Sequence, residues 1–110
     1  MADINNVFIS GRIGADPHLK YFESGAVTCD ISVGVNRWSK KKEAEETTWV
    51  GCKVWGKRAE FVGEYVKKGD LVYISGSIQK DIYTDSTGKQ CANTYVLVDE
   101  IKAQGKKQEN

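Results

Sequence analysis

Alternating apolar and polar residues along most of the chain predict β-strands, because successive side chains of a strand point to opposite faces. In the clearest run, residues 27–37, the residues Val27, Cys29, Ile31, Val33 and Val35 alternate with polar residues or glycine. The same pattern predicts five strands in all, at about 7–13, 27–37, 47–55, 71–83 and 93–101. Asp16-Pro17 and Ser24-Gly25 predict turns within residues 14–25.

Residues 57–68 break this alternation and predict a helix, because Phe61, Val62, Tyr65 and Val66 recur at helical spacing. Gly69 fits the left-handed position that ends many helices. A glycine inside a helix costs about 1 kcal/mol relative to alanine, so Gly63 predicts close packing of the helix on the sheet. Residues 39–46 are predicted to be a charged loop, and residues 84–90 a hairpin tip.

The order of three strands, one helix and two strands predicts an all-β protein, a five-stranded Greek-key OB-fold barrel with one short helix between strands three and four. A length of 110 residues suits a single domain. We expect residues 1–103 to form this OB-fold domain and residues 104–110 to form a short polar tail.

Composition excludes several classes of protein. At 40% hydrophobic and 28% charged residues, the chain is expected to be folded and soluble. The sequence contains no run of about 18 apolar residues, so it predicts no membrane span, and "MADINN" does not resemble a secretory signal. Three cysteines without a C-x-x-C pair, and a single histidine, predict reduced thiols, no metal and no cofactor. Because the net charge is only +1, a polyanionic partner must be argued from the positions of the charges.

The third predicted strand, in "TTWVGCKVWGK", places unusual residues on one face. Val50, Cys52 and Val54 form an ordinary core parity, while the other parity is Trp49, Gly51, Lys53 and Trp55. Nucleic-acid bases stack on aromatic rings for about 1–3 kcal/mol each, whatever the sequence. We therefore hypothesise that bases stack on Trp49 and Trp55. Lys53 would then contact a phosphate, and Gly51 would leave room for the base or sugar.

Two more aromatic residues extend the pattern. Trp38 ends the second strand on its polar parity beside Arg37, and Tyr83 ends the fourth strand shortly after Lys80. Tyr83 lies on the parity opposite Val72, Ile74 and Ile78. Since OB-folds bind oligonucleotides on the face of strands two and three, these aromatics predict a nucleic-acid interface. A single tryptophan in a strand is more often a core or subunit-interface residue, so this alternative stays open.

Several motifs resemble those of bacterial single-stranded-DNA-binding proteins. "VFISGRIGADPHLKYFESG" is similar to the start of that family, and "VWGKRAEFVGEYVKKGDLVYISGSI" to its middle segment. The resemblance covers about residues 4–101 and implies an OB-fold that assembles as a homotetramer and binds single-stranded DNA without sequence preference. It implies roles in DNA replication, recombination and repair, in the bacterial cytoplasm and nucleoid or in an organelle.

The resemblance implies base-stacking roles for the four aromatics found above, Trp38, Trp49, Trp55 and Tyr83. The residues that we expect to contact phosphates are Lys53, Lys57, Arg12, Arg37 and Lys80. Many members end in an acidic tip that recruits replication and repair enzymes, whereas this chain ends in "GKKQEN". The sequence is therefore either a trimmed core or a form without this device. Val50 stands where some members have an interface histidine.

Two other functions compete with DNA binding. A replication-restart or protein-interaction OB module would use the tryptophans as interface anchors. An OB-fold nuclease would need clustered carboxylates or histidines, but Asp30, Asp81 and Asp99 are scattered along the chain. We therefore expect no catalytic residues.

Overall fold

The computed structural model describes residues 3–104, which form six strands and one helix. In chain order these are β1 Val7–Ile13, β2 His18–Tyr21, β3 Val27–Ser39, β4 Ala44–Trp55, α1 Lys57–Tyr65, β5 Leu71–Thr84 and β6 Gln90–Gln104. The five predicted strands correspond to β1, β3, β4, β5 and β6. Within residues 3–104, no helix has the length and apolar character needed to span a membrane.

The long strands close into a barrel. Hydrogen-bonded neighbours follow the order β1-β5-β6-β4-β3-β2, and β1 pairs a second time with β3 at Arg12↔Gly34 and Ile13↔Val33. The short β2 pairs with the beginning of β3, so β1 and β2 share one edge of β3. The predicted five-stranded OB-fold is confirmed, with α1 between the third and fourth long strands.

The barrel interior is filled mostly by β-branched side chains, which suit a pleated and buried surface. The buried apolar residues are Ile13, Val27, Cys29, Ile31, Val33, Cys52, Val54, Ala59, Val62, Val66, Val72, Ile74, Val96 and Val98. On β3 and β4 these belong to the predicted core parity, and Val35 and Val50 are partly buried against the same cluster. The parity assigned to β4 from the sequence is therefore confirmed, with its tryptophans on the outer side.

The turn predicted for residues 14–25 contains the additional strand β2. Leu19 of β2 packs against the core and against Gly63 of α1, where an added Cβ would lie 2.5 Å from Leu19 Cγ. The expectation that Gly63 marks close packing is therefore confirmed. The sequence analysis predicted turns at Asp16-Pro17 and Ser24-Gly25 and no strand between them, so the strand His18–Tyr21 was missed.

Helix α1 ends at Tyr65, three residues before the predicted end. Val66 adopts an extended backbone (φ −94°, ψ 131°) and is fully buried. The Lys67 N–H donates to Asp70 Oδ2 at 2.9 Å, and the Asp70 N–H donates to the Lys67 carbonyl at 3.0 Å. Gly69 has the predicted left-handed backbone (φ 91°), but it serves this turn and not the end of the helix.

The boundaries of the two hairpins also differ from the prediction. Half of the predicted charged loop 39–46 is strand, because β3 reaches Ser39 and β4 begins at Ala44. The hairpin tip between β5 and β6 is confirmed. Since β6 reaches Gln104 and residues 105–110 lie outside the described part of the chain, the domain boundary at residue 103 and the polar tail stay predictions.

The end of the β5–β6 hairpin extends beyond the barrel. Pairing of β1 with β5 stops at Val7↔Gly76, and beyond this point β5 pairs with β6 alone. Ile78, predicted to share the core parity of Val72 and Ile74, is 53% exposed. That prediction is wrong because Ile78 lies beyond the last residue of β5 that pairs with β1, in the part of the hairpin that projects from the barrel.

Candidate nucleic-acid interface

The outer face of β3 and β4 carries large aromatic side chains. Trp49 and Trp55 are 60% and 46% exposed, while Cys52 and Val54 of the alternate parity are buried. Register places Trp49 opposite Gly34, and Trp55 opposite Thr28. Gly51 lies between the tryptophans, and a Cβ added there would meet no atom within 4 Å. The space above Gly51 is therefore open, as the base-stacking hypothesis requires.

Two glycines hold the ring of Trp49 against the barrel. A Cβ at Gly14 would lie 2.5 Å from Trp49 Cζ3, and a Cβ at Gly34 would lie 2.9 Å from the same atom. The indole ring thus packs directly over backbone that has no side chains. Because one face of the ring is held in place, the ring loses little further rotamer freedom when a ligand stacks on its exposed part.

Trp55 has an aromatic neighbour that the sequence analysis did not identify. The rings of Phe22 and Trp55 are nearly parallel, with centroids 6.1 Å apart and planes inclined by 13°. Lys20 Nζ lies 5.3 Å from the centroid of the Phe22 ring. Both residues were missed because β2 was not predicted, so Phe22 was assigned to a turn. Their proximity to Trp55 depends on the β2–β3 pairing.

Trp38 and Tyr83 are exposed near the ends of two other stretches of strand, in β3 and β5. Trp38 is 63% exposed near the end of β3, on the same parity as Gly34, and pairs in register with Glu45 of β4. Tyr83 is 52% exposed near the end of β5 and pairs with Cys91 of β6. The outer face of β6 connects Tyr83 to β4, since β6 lies between β5 and β4 in the sheet.

Three of the predicted phosphate-contact residues lie on or beside the aromatic surface. Lys53 lies between the tryptophans on β4, with Nζ 5.1 Å from the Tyr95 ring centroid. Arg12 pairs in register with Gly34, beneath Trp49, and its guanidinium donates to the Gly69 carbonyl at 3.0 Å. Lys57 is exposed at the first position of α1, two residues after Trp55.

The other two predicted phosphate-contact residues lie apart from this group. Arg37 follows the parity opposite Trp38 and pairs with Glu46, Nη2 to Oε2 at 3.2 Å. Lys80 is exposed on the projecting hairpin, on the parity opposite Tyr83. Their contact with phosphates stays a prediction, and the structure does not bring them together with Lys53.

Two cysteines of the core and one aspartate of a hairpin have shifted pKa values. Burial raises the pKa of Cys29 and Cys52 to about 11, so both thiols are neutral near pH 7. Hydrogen bonds, first from the Thr87 hydroxyl, hold the pKa of Asp85 below its usual value at the hairpin tip. Among the side chains of residues 3–104, no group of three or more His, Cys, Asp or Glu is arranged to hold a metal ion.

Comparison with known proteins identifies a family that matches the whole barrel. A family model described as "Single-strand binding protein family" matches residues 4–104. The single-stranded DNA-binding protein 1 of Synechocystis sp. is 40% identical over 108 residues, covering 97% of this chain and 88% of the relative.

Other relatives support the same assignment. The single-stranded DNA-binding protein 1 of Nostoc sp. is 40% identical over 107 residues, 96% of this chain and 87% of the relative. The protein of the same name from Xylella fastidiosa is 34% identical over 114 residues, covering 100% of this chain and 84% of its own length. The chain therefore belongs to the single-strand binding protein family.

Proposed function

We propose that this chain binds single-stranded DNA without sequence preference. Bases stack on Trp38, Trp49, Trp55 and Tyr83, while Lys53, Lys57 and Arg12 contact phosphates beside them. The observation that carries the proposal is the outward direction of both β4 tryptophans, which are 60% and 46% exposed on a strand whose other face is core. The names of the relatives support the same ligand.

Preference for single strands follows from the chemistry of stacking. A duplex hides the faces of its bases, whereas a single strand offers each base to an aromatic ring. The Trp49 ring, which packs against Gly14 and Gly34, can stack on any base, so we expect binding to be independent of the DNA sequence. The net charge of +1 indicates that phosphate attraction supplies only part of the affinity.

The experiment is a titration of the protein with oligo-dT, followed by tryptophan fluorescence. We expect quenching that saturates, and much weaker quenching with a matched duplex of the same length. A protein-interaction module that uses its tryptophans only as interface anchors would show no quenching with either ligand. Equal affinity for the duplex would contradict the preference for single strands.

We further propose that the chain forms homotetramers through a different surface. Phe8 of β1 and Tyr73 of β5 are 77% and 50% exposed and line one open cleft of about 540 Å³, together with Ser10, Ser75, Glu100 and Lys102. Register places Phe8 and Tyr73 in neighbouring rows on the outer side of the sheet. An exposed patch with large apolar residues is typical of a protein interface.

The proposed cellular role follows from the ligand. A protein that covers single strands protects them during replication, recombination and repair, in the bacterial cytoplasm and nucleoid or in an organelle. This role predicts that the protein shields oligo-dT from a single-strand nuclease at saturating protein concentration. Rapid digestion of saturated oligo-dT would contradict it.

A further inference from the structure

A cleft between β4 and β6 carries an inference about the path of the bound strand. The two strands pair in parallel at Cys52↔Val96 and Lys53↔Leu97, and they separate toward Gly51 and Tyr95. The opening, here called the β4–β6 cleft, has a volume of about 170 Å³. It is lined by Asp30, Ile31, Gly51, Cys52, Lys53, Asn93, Thr94 and Tyr95.

Tyr95 borders this cleft on the same outer face as Lys53. Its ring centroid lies 5.1 Å from Lys53 Nζ, and its hydroxyl donates to Asp81 Oδ1 at 3.5 Å. On the other side of the cleft, Gly51 leaves space in which a Cβ would meet nothing. The cleft therefore combines an aromatic ring, an ammonium group and an open floor.

The order of the strands gives Tyr95 its place in the interface. Since β6 lies between β5 and β4, a strand of DNA that contacts Tyr83 and also the β4 tryptophans must cross β6. Tyr95 is the one aromatic residue within Gln90–Gln104. It lies four residues from Cys91, the partner of Tyr83, and so on the same face of the hairpin.

We infer that Tyr95 is a further base-stacking residue, and that the β4–β6 cleft receives one base between the tryptophans and Tyr83. This inference rests on the proposed function. The base packs on the Tyr95 ring above Gly51, and Lys53 contacts the adjacent phosphate. The hydroxyl group of Tyr95 is not required, because stacking uses the ring alone.

Two substitutions at Tyr95 test this directly, with Tyr65→Ala as the matched control. Tyr65 is also an exposed tyrosine (62%), but it lies on α1. Binding to fluorescently labelled oligo-dT is measured by anisotropy, alongside thermal unfolding. We expect Tyr95→Ala to weaken binding about 5- to 150-fold, the equivalent of one stacked base. Tyr95→Phe and Tyr65→Ala should stay within about twofold of the wild type.

Two measurements separate base contact from an indirect effect through Lys53. If Tyr95 stacks on a base, Tyr95→Ala leaves the salt dependence of binding unchanged. If Tyr95 only positions Lys53, Tyr95→Ala lowers the slope of affinity against salt by about one phosphate contact. Gly51→Val fills the cleft and adds a residue with higher strand propensity. We expect this variant to be at least as stable as the wild type and to bind more weakly, even if Tyr95→Ala fails to fold.

The results distinguish this inference from the proposed function. If the wild type binds oligo-dT and both Tyr95→Ala and Gly51→Val bind equally well, the inference is wrong and the proposed function stands. Equal losses for Tyr95→Phe and Tyr95→Ala would also overturn it, because they would assign the effect to the hydroxyl group. If the wild type itself does not bind, the proposed function fails first.

Discussion

Two surfaces of this barrel expose aromatic side chains, and they differ in what surrounds the rings. On the outer face of β3 and β4, Trp49 and Trp55 flank Lys53 and an unoccupied space above Gly51. On the outer face of β1 and β5, Phe8 and Tyr73 line a cleft whose charged residues, Glu100 and Lys102, have opposite signs. The first surface offers exposed indole rings beside an open space, and the second offers apolar side chains that line a cleft.

Exposure of an aromatic residue alone therefore does not identify its binding partner. A base needs a ring face with space above it and a cation nearby for the phosphate. A protein surface needs contiguous apolar area whose charges can be matched. We therefore propose different partners for the two aromatic surfaces of this barrel, DNA for the first and a second copy of the chain for the second.

Among the substitutions, the largest effect is expected on the outer face of β1 and β5. Phe8→Glu would place a carboxylate in the proposed subunit interface, where an unpaired buried charge costs several kcal/mol. We expect the mass in solution, measured by light scattering at micromolar concentration, to fall below that of a tetramer while the circular dichroism spectrum is kept. Phe61→Glu on α1, a 42% exposed site, is the control and should leave the mass unchanged.

Either of two results would remove the distinction between the surfaces. A wild-type monomer at micromolar concentration would contradict the homotetramer outright. A Phe8→Glu variant that remains tetrameric would show that the interface lies elsewhere on the barrel.

A second substitution tests the inner face of β4. Val54 is fully buried next to the exposed Trp55. Val54→Ala removes two buried methyl groups and leaves a cavity, so we expect the free energy of unfolding to fall by about 2 kcal/mol. Denaturant unfolding measures this loss. Affinity for oligo-dT, measured at a temperature where the variant is folded, should change little.

The smallest effect is expected at Lys53. Lys53→Ala should weaken binding by less than about 1 kcal/mol and lower the slope of affinity against salt by about one phosphate contact. Lys102→Ala, on the Phe8–Tyr73 surface, is the matched control and should leave the slope unchanged. Equal slopes for Lys53→Ala and the wild type would exclude Lys53 from the phosphate path.

Much of the barrel could be predicted from the sequence because its strands alternate regularly. On β3, Val27, Cys29, Ile31 and Val33 alternate with outward residues, and the structure buries all four. The same alternation predicted that Trp49 and Trp55 point outward, which the structure confirms. Local periodicity succeeds wherever one face of a strand is covered along its length.

The errors arise where a residue's environment depends on distant contacts. Ile78 continues the core alternation of β5, but β1 ends before it and leaves it exposed. Val66 recurs at helical spacing after Val62, yet it lies beyond the helix, has an extended backbone and is buried. Phe22 reaches Trp55 through the β2–β3 pairing, and Tyr95 reaches Lys53 through the β4–β6 pairing. A single sequence records none of these pairings.

The affinity of Trp55→Ala for oligo-dT, with its thermal unfolding measured in parallel, tests the central claim most directly. Trp55 lies outside the core, so we expect the unfolding temperature to change little. Loss of one stacked base should weaken binding by about 1–3 kcal/mol. If Trp55→Ala instead unfolds the protein, or binds oligo-dT as tightly as the wild type, the outer face of β3 and β4 is not the stacking surface.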